Sequence, residues 1–229
     1  MASREGLTTL GGVARAFARR RSPKVLAAAI VALAAARVGV GDFGWRDLVA
    51  AAAMLAVYPF AEWAIHVYLL HMRPFEIGGR SVESPAAKAH RAHHERPNDL
   101  SMILLDPIEL AQLLLLAVPV VVAAGTLIAT LIFGPVPLGA MLSAALAAYL
   151  AIAVYEWTHF LIHTPYRPRS RHYRAIWRNH RLHHFKNEHY WHGITQTLGD
   201  RVLGTDPDQR DVDRSATART LDPTPGAPR

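Results

Sequence analysis

Histidine is the residue type whose number and spacing suggest chemistry in this sequence. Ten of the 13 histidines fall into four short clusters. Neutral imidazole binds iron, zinc, copper and nickel, and a tetrahedral zinc ion needs only four ligands. The ten rings therefore predict two metal centres. The clusters are His66 and His71; His90, His93 and His94; His159 and His163; and His180, His183 and His184.

The second and fourth clusters repeat one pattern, HxxHH. On a helix, side chains four residues apart share a face, whereas adjacent side chains point about 100° apart. We therefore expect the two outer rings of each pattern to lie on one face. We expect the adjacent rings His93 and His94 to bridge two centres.

The first and third clusters are pairs at the ends of apolar segments. His159 and His163 are about one helical turn apart, which suits a single metal. His66 and His71 are five residues apart, a rotation of about 140° on an α-helix, so we expect them to diverge and to serve different metals.

Two carboxylates accompany the pairs. Glu62 lies four residues before His66, and Glu156 lies three residues before His159. Each carboxylate could orient the ring N–H of its histidine, or could instead pair with a nearby arginine. The remaining histidines fall outside the repeated spacings, and we expect them at the interface or the surface: His172, His189 and His192.

The elements that must position these rings are apolar segments long enough to cross a membrane, so we predict an all-α integral membrane protein. The third segment is the clearest, because residues 113–133 carry no charge and would rise about 31 Å as a helix. Pro119 is expected to kink it. We predict four spans, at about 24–40, 47–70, 108–133 and 138–162.

The first span is the weakest, because it is slightly short and carries Arg37. Its basic lead-in and Ala-rich end also fit a signal peptide cleaved after residues 34–36. We favour a retained span. Cleavage there would leave the orientation of the other spans unchanged.

The distribution of basic residues predicts the orientation. All of the 25 Lys and Arg except Arg37 and Arg46 lie before residue 25, between residues 71 and 106, or after residue 163. The positive-inside rule places these regions in the cytoplasm. It therefore collects both termini and all four histidine clusters on the cytoplasmic side, most simply of a bacterial inner membrane, in a cytosolic helical cap that carries the metal site. This convergence favours metal ligands over solvated surface histidines.

Composition excludes several other classes of protein. The formal charge of +7 comes from residues that flank apolar spans, where anionic lipid headgroups are nearer partners than nucleic acid. The absence of cysteine excludes disulfides and thiolate-bound metals. We divide the chain into a basic cytosolic segment, 1–23, a membrane-embedded domain, 24–206, and a Pro- and Asp-rich tail, 207–229, which we expect to be disordered.

The four histidine clusters resemble the fatty acid hydroxylase superfamily, whose members carry HxxxxH, HxxHH, HxxxH and HxxHH in this order across membrane spans. The resemblance covers about residues 55–205 and includes Asp200-Arg-Val-Leu-Gly-Thr205. Within the superfamily, His71-Met-Arg-Pro74, the 19-residue step from His71 to His90, and His183-His-Phe185 are similar to the fatty acid 2-hydroxylase branch.

The resemblance implies an oxidoreductase that hydroxylates a lipid acyl chain. It implies two iron ions held by the ten histidines, with O2 as co-substrate and no separate catalytic residue. Zinc could replace iron in a purified sample. The sequence lacks the His-Pro-Gly-Gly segment of a fused cytochrome b5 domain, so we expect a separate electron donor, cytochrome b5-like or a ferredoxin with its reductase. Residues 186–191 depart from the eukaryotic 2-hydroxylases, which leaves the substrate and the carbon position open.

Other functions remain open at this point. A sterol desaturase or a carotenoid hydroxylase could use the same scaffold and oxidant, and product mass would separate desaturation from hydroxylation. A membrane metal transporter could also use histidines to pass ions along. The transporter would need polar groups at mid-membrane, and residues 113–133 and 138–155 supply few beyond small hydroxyls.

Overall fold

The computed structural model describes residues 4–221, and these are mainly helical, which confirms the predicted fold class. The helices are α1 (Leu10–Ala18), α2 (Arg21–Val40), α3 (Trp45–Ala64), α4 (Pro85–Glu95), α5 (Pro107–Gln112), α6 (Val118–Phe133), α7 (Leu138–Ile162), α8 (Arg171–Phe185) and α9 (Leu198–Leu203). Short 3₁₀ turns occupy Arg4–Thr8 and Gln209–Asp211. Two π-helical segments, Ile65–Leu70 and Leu113–Ala117, continue α3 and connect α5 to α6.

Within residues 4–221, four helical segments are long and apolar enough to cross a membrane. They are Arg21–Val40, Trp45–Leu70, Pro107–Phe133 and Leu138–Ile162. These bounds agree with the predicted spans to within about three residues. Their outward side chains include large apolar groups such as Leu48, Leu131 and Phe133, which are more than two-thirds exposed. Such surfaces are stable only against lipid or another protein, and with the length of the helices they identify a membrane protein.

The chain forms two compact units. One of them comprises residues 14–58 and 105–157, and we call it the apolar unit. Its core is formed by side chains from α2, α5, α6 and α7 and from the π-helical segment Leu113–Ala117. The buried residues of this core are Leu26, Leu110, Leu114, Val118, Val122, Ala144, Ala148, Tyr149 and Ile152.

Arg37, the charge that made the first span the weakest prediction, is buried in the apolar unit, where it has specific partners. Its guanidinium forms an ion pair with Asp47 at 2.6 Å and donates a hydrogen bond to Ser143 Oγ at 3.0 Å. It also donates to the carbonyl oxygen of Gly41. A buried guanidinium is stable only when its N–H groups are satisfied in this way. These contacts connect α2 to α3 and α7.

The second compact unit comprises residues 4–13, 59–104 and 158–221 of the described chain, and we call it the histidine unit. It contains the one departure from the all-α prediction among the described residues, an antiparallel hairpin of Phe75–Ile77 and Arg80–Val82. Gly78 and Gly79 connect the strands, with φ of 57° and 74°. A two-residue hairpin turn needs positive φ at both positions, which glycine adopts without strain.

The third span is irregular before its proline. Residues Leu113–Ala117 form a wider π-turn directly before α6, in which Pro119 is the second residue. Proline has no backbone N–H to donate, so the preceding turn loses a regular hydrogen bond. Tyr149 on α7 compensates in part, because its hydroxyl donates to the carbonyl oxygen of Leu114 at 2.8 Å.

Residues 207–221 form an ordered segment that we call the C-terminal strap. The prediction of a disordered tail is therefore wrong for these residues. Val212, Ala218 and Leu221 are buried, and Ser215 donates its backbone N–H to the carbonyl oxygen of Lys186 at 2.8 Å. Composition alone suggested disorder. These few apolar side chains and backbone hydrogen bonds are enough to dock the strap on the histidine unit. Residues 222–229 lie outside the described residues.

Replacing Gly199 by alanine tests the packing of α9 against α3. A Cβ at Gly199 would lie 2.7 Å from the carbonyl oxygen of Pro59 and 3.1 Å from Trp63 Cβ. We expect Gly199→Ala to lower the free energy of unfolding by about 1–3 kcal/mol, because the backbone of α3 cannot move aside cheaply. Gly125→Ala is the matched control, since a Cβ there meets no atom within 4 Å. Equal thermal midpoints of the two variants in detergent would contradict this packing.

Candidate metal centre

The ten predicted ligands converge into two sets of five within the histidine unit. In each set, every ring offers one nitrogen that lies within 4.8 Å of those of the other four. The rings are buried, apart from His71 and His163, which are half-buried. The first cluster is His66, His71, His90, His94 and His183, and the second cluster is His93, His159, His163, His180 and His184.

The two HxxHH patterns connect the clusters reciprocally. In α4, His90 and His94 belong to the first cluster and His93 belongs to the second. In α8 the order is reversed, so that His183 belongs to the first cluster and the two outer rings belong to the second. This is the arrangement expected from helix geometry, because i and i+4 share a face and i+3 points away from i+4. Each helix therefore supplies both clusters.

The expectation that His66 and His71 diverge is wrong, because both rings lie in the first cluster with centroids 4.9 Å apart. The rotation of 140° assumed an α-helix. Residues Ile65–Leu70 are instead π-helical, and His71 donates its backbone N–H to the carbonyl oxygen of His66 at 3.1 Å. An i→i+5 hydrogen bond stacks the fifth residue over the first, so the two rings can reach one site.

Peptide carbonyls orient several of the rings. A carbonyl oxygen can only accept a hydrogen bond, so a ring nitrogen that contacts one carries the proton, and the other nitrogen keeps a lone pair for a metal. In the first cluster, Nδ1 of His66 lies 2.6 Å from the oxygen of His192, Nδ1 of His94 lies 2.8 Å from that of Ala218, and Nδ1 of His183 lies 2.8 Å from that of Tyr190.

The spacing of the ring nitrogens fits metal ions. Nε2 of His90 lies 3.2 Å from Nε2 of His66 and 3.1 Å from Nε2 of His94. In the second cluster, Nε2 of His180 lies 2.9 Å from that of His163 and 3.0 Å from that of His184. Two nitrogens bound at right angles, each about 2.1 Å from one ion, would lie about 3.0 Å apart.

Buried nitrogens without partners support the same assignment. Both ring nitrogens of His93, and Nε2 of His71 and of His183, are buried and have no hydrogen-bond partner among the described residues. Burial lowers the pKa of His93 to about 3 and lowers the pKa of His71 and His183 well below the usual range. The rings are therefore neutral, which is the form that binds a metal.

The two carboxylates do not orient ring N–H groups, contrary to the expectation. Glu62 accepts hydrogen bonds from the backbone N–H groups of Ile194 and Thr195, at 2.5 and 2.8 Å, and from the Thr195 hydroxyl. Glu156 lies in the apolar unit, where it accepts from the Ser22 hydroxyl and from the backbone N–H of Leu105 at 2.9 Å. Neither carboxylate pairs with an arginine among the described residues. Glu62 therefore contacts the backbone of the loop beside the site and not a histidine ring.

The loop at residues 192–195 connects Glu62 to the first cluster. Glu62 accepts hydrogen bonds from the end of this loop, and the carbonyl oxygen of His192 at its start contacts His66 Nδ1. Asp200 holds the start of the same loop, accepting from the backbone N–H groups of His192 and Gly193 at 2.9 and 2.7 Å. Burial raises the pKa of Asp200. Two buried carboxylates thus hold the loop whose His192 carbonyl oxygen contacts the His66 ring.

His192 itself is a site residue that spacing missed, since it is 3% exposed and its ring centroid lies 5.2 Å from those of His66 and His183. It is not one of the five histidines of the first cluster. His192 belongs to none of the repeated spacings in the sequence. Its position directly before Gly193 is the one sequence feature that could have suggested its burial. His172 and His189 are exposed, as expected.

Comparison with known proteins identifies the family. The family model described as fatty acid hydroxylase matches residues 51–205, which include all ten clustered histidines. The chain belongs to the fatty acid hydroxylase family. No solved structure matches this family member.

A curated relative of this family member is a dihydroceramide fatty acyl 2-hydroxylase from Arabidopsis thaliana. The two are 28% identical over 156 residues, which cover 67% of this chain and 61% of the relative. The chain thus spans about three fifths of the length of that relative. The resemblance to the 2-hydroxylase branch drawn from the histidine spacings is confirmed.

Removing one ring from either cluster of this family member tests the ligand assignment. We expect wild-type protein to hold two metal ions per chain. His183→Ala and His93→Ala should each lower metal affinity at least about 100-fold, because each change removes a donor to one cluster. Elemental analysis of detergent-purified protein measures this, with His189→Ala as control, because the His189 side chain is 53% exposed and belongs to neither cluster. Full metal content in both cluster variants, with normal membrane insertion, would contradict the assignment.

Glu62→Gln tests the indirect role of this carboxylate. The amide oxygen of the new side chain can still accept from the backbone N–H groups of Ile194 and Thr195, but a neutral amide accepts more weakly than a carboxylate, and its N–H₂ makes the Thr195 hydroxyl accept instead of donate. This should loosen the loop that holds His66. We expect metal affinity to fall about tenfold or more, as for other groups that orient metal ligands. Competition with a chelator measures the change. Glu109→Gln, an exposed carboxylate in the capping box of α5, is the control. Unchanged affinity in Glu62→Gln would show that the loop does not orient His66.

Proposed function

We propose that this chain catalyses the O2-dependent hydroxylation of a lipid acyl chain at a di-iron centre held by the ten clustered histidines. The observation that carries the proposal is the pair of five-histidine clusters, connected by two reciprocal HxxHH helices. The family match over residues 51–205 supports lipid hydroxylation as the chemistry.

Iron suits the donor set. Each cluster offers five imidazole nitrogens and no sulfur, which is one more ligand than tetrahedral zinc takes. Imidazole also binds zinc, copper and nickel, so a purified sample could carry another metal. The His66, His94 and His183 rings, already oriented by carbonyl oxygens, would hold an ion without reorganising.

A bound pair of iron ions would supply the reduction of O2 and the insertion of one of its oxygen atoms into an unactivated C–H bond. The balance is one C–H bond, O2, two electrons and two protons, giving an alcohol and water. The electrons would come from a separate donor protein, cytochrome b5-like or a ferredoxin with its reductase. The chain's own residues hold the ions in a buried site, exclude water and position the reacting carbon, all of which are positioning tasks.

The proposal includes the side of the membrane on which the histidine clusters lie. The basic residues that flank the spans would place both termini and the histidine clusters on the cytoplasmic side, most simply of a bacterial inner membrane. An acyl chain dissolved in the bilayer would then be the natural substrate. The 2-hydroxylase relative supports an acyl chain over a sterol or a carotenoid. Ten neutral rings in two closed clusters suit resident ions better than a path for transported ones.

Lipid analysis of host cells tests the proposal. We expect cells that express the wild-type chain to accumulate acyl lipids heavier by one oxygen, and cells that express His93→Ala to match cells with an empty vector. Accurate-mass spectrometry with fragmentation measures the added oxygen and its position. Lipids lighter by two hydrogens would indicate a desaturase instead. Altered carotenoids beside unchanged acyl lipids would contradict the acyl substrate.

A further inference from the structure

A small cavity in the histidine unit borders the first cluster. It has a volume of about 120 Å³, and its walls include Trp63, His71, Arg73, Glu188, His192 and Leu221. A single water needs only about 15 Å³ of such space, so the cavity has room for a functional group of several heavy atoms. His71 belongs to the first cluster, so a group in this cavity would lie next to one of the proposed metal ligands.

Glu188 is the buried carboxylate in the wall of this cavity, and only half of its hydrogen-bonding capacity is used. The residue is 3% exposed. Its Oε1 accepts from the Thr217 hydroxyl of the C-terminal strap, and His189 Nε2 lies 3.7 Å from the same oxygen. Its Oε2 is buried and has no partner among the described residues. A buried oxygen without a donor is costly, so the site calls for a donor from a ligand.

His192 offers a second acceptor in the same wall. Its Nε2 lies 3.1 Å from the carbonyl oxygen of His189, which can only accept, so Nε2 carries the proton. Nδ1 then has a lone pair, and it is buried without a partner among the described residues. Two residues of the cavity wall, Glu188 and His192, thus each have a buried acceptor atom with no donor among the described residues.

We propose that Glu188 is a substrate-binding residue whose Oε2 accepts a hydrogen bond from an N–H or O–H group close to the carbon that is hydroxylated. The inference rests on the proposed function and names the substrate feature that the site recognises. A free fatty acid anion has no such donor to offer to Oε2. The favoured substrate is therefore an acyl lipid with a donor beside its acyl group, so that oxidation occurs near the polar end of the chain.

Binding of matched lipid probes tests this role without turnover. The metal-loaded, full-length chain in detergent is kept free of O2 and reductant. The probes are N-butylhexadecanamide, with one N–H donor, its N-methyl analogue, with none, and 2-hydroxyethyl hexadecanoate, with one O–H donor. We expect wild-type protein to bind at least one donor probe about tenfold tighter than the N-methyl analogue, the effect of a hydrogen bond to a charged acceptor. The tighter of the two donor probes identifies the group.

Glu188→Met removes the acceptor while it keeps the length of the side chain. We expect this variant to bind all three probes within about twofold of one another, with unchanged metal content. Thr217→Val is the matched control, because it removes the contact of Oε1 with the strap and leaves Oε2 in place. It should retain the tenfold preference. If Glu188→Met does not fold, Glu188→Gln serves instead, since either orientation of its amide weakens acceptance at this position.

Two results would overturn the role of Glu188: equal binding of the three probes by wild-type protein, or a preference that persists in Glu188→Met. Loss of the preference in Thr217→Val as well would show that Glu188 acts only by holding the strap. Failure of the proposed function is distinct. If cells that express the wild-type chain add no oxygen to any lipid, that result would contradict the proposed function, whatever the probes show.

Discussion

The constraint on which the site depends is the burial of ten imidazole rings in one small region. Charged rings would repel one another there, and burial and neighbouring rings lower the pKa of His90 and His184 well below the usual range. Neutral rings still need partners for both nitrogens. The protein meets this need by giving one nitrogen of several rings to a peptide carbonyl and leaving the other for a metal. The surrounding segments must therefore place carbonyl oxygens accurately.

Segments that looked unrelated in sequence gain a common role from this constraint. The loop at 192–195 supplies the carbonyl oxygen for His66, and the C-terminal strap supplies the one for His94 through Ala218. Glu62 and Asp200 fix the loop. Arg219 secures the strap, donating to the carbonyl oxygen of His94 at 2.8 Å. The proposed metal ligands are thus only the ten clustered rings, but a larger set of residues determines whether their nitrogens meet.

Regular helix geometry made part of the fold and site predictable from sequence. The four spans follow from length and hydropathy, and the division of each HxxHH pattern between two clusters follows from about 100° per residue. The joint placement of His66 and His71 did not follow, because a π-helix at Ile65–Leu70 has no marker in the sequence. The partners of Glu62 and the docking of residues 207–221 depend on contacts between segments distant in sequence, which spacing cannot reveal.

The two clusters have equivalent ligand sets but different surroundings. The first cluster borders the cavity through His71, with His192 and Glu188 close by, whereas no ring of the second cluster lies in the wall of that cavity. In the second cluster, the ring of His163 donates a hydrogen bond to the carbonyl oxygen of Pro97. Reciprocal HxxHH helices keep the clusters close, because His93 and His94 are adjacent in sequence and serve different clusters. A substrate held in the cavity would therefore approach the pair of metals from the side of the first cluster, and the symmetry of the ligands would not extend to the reaction.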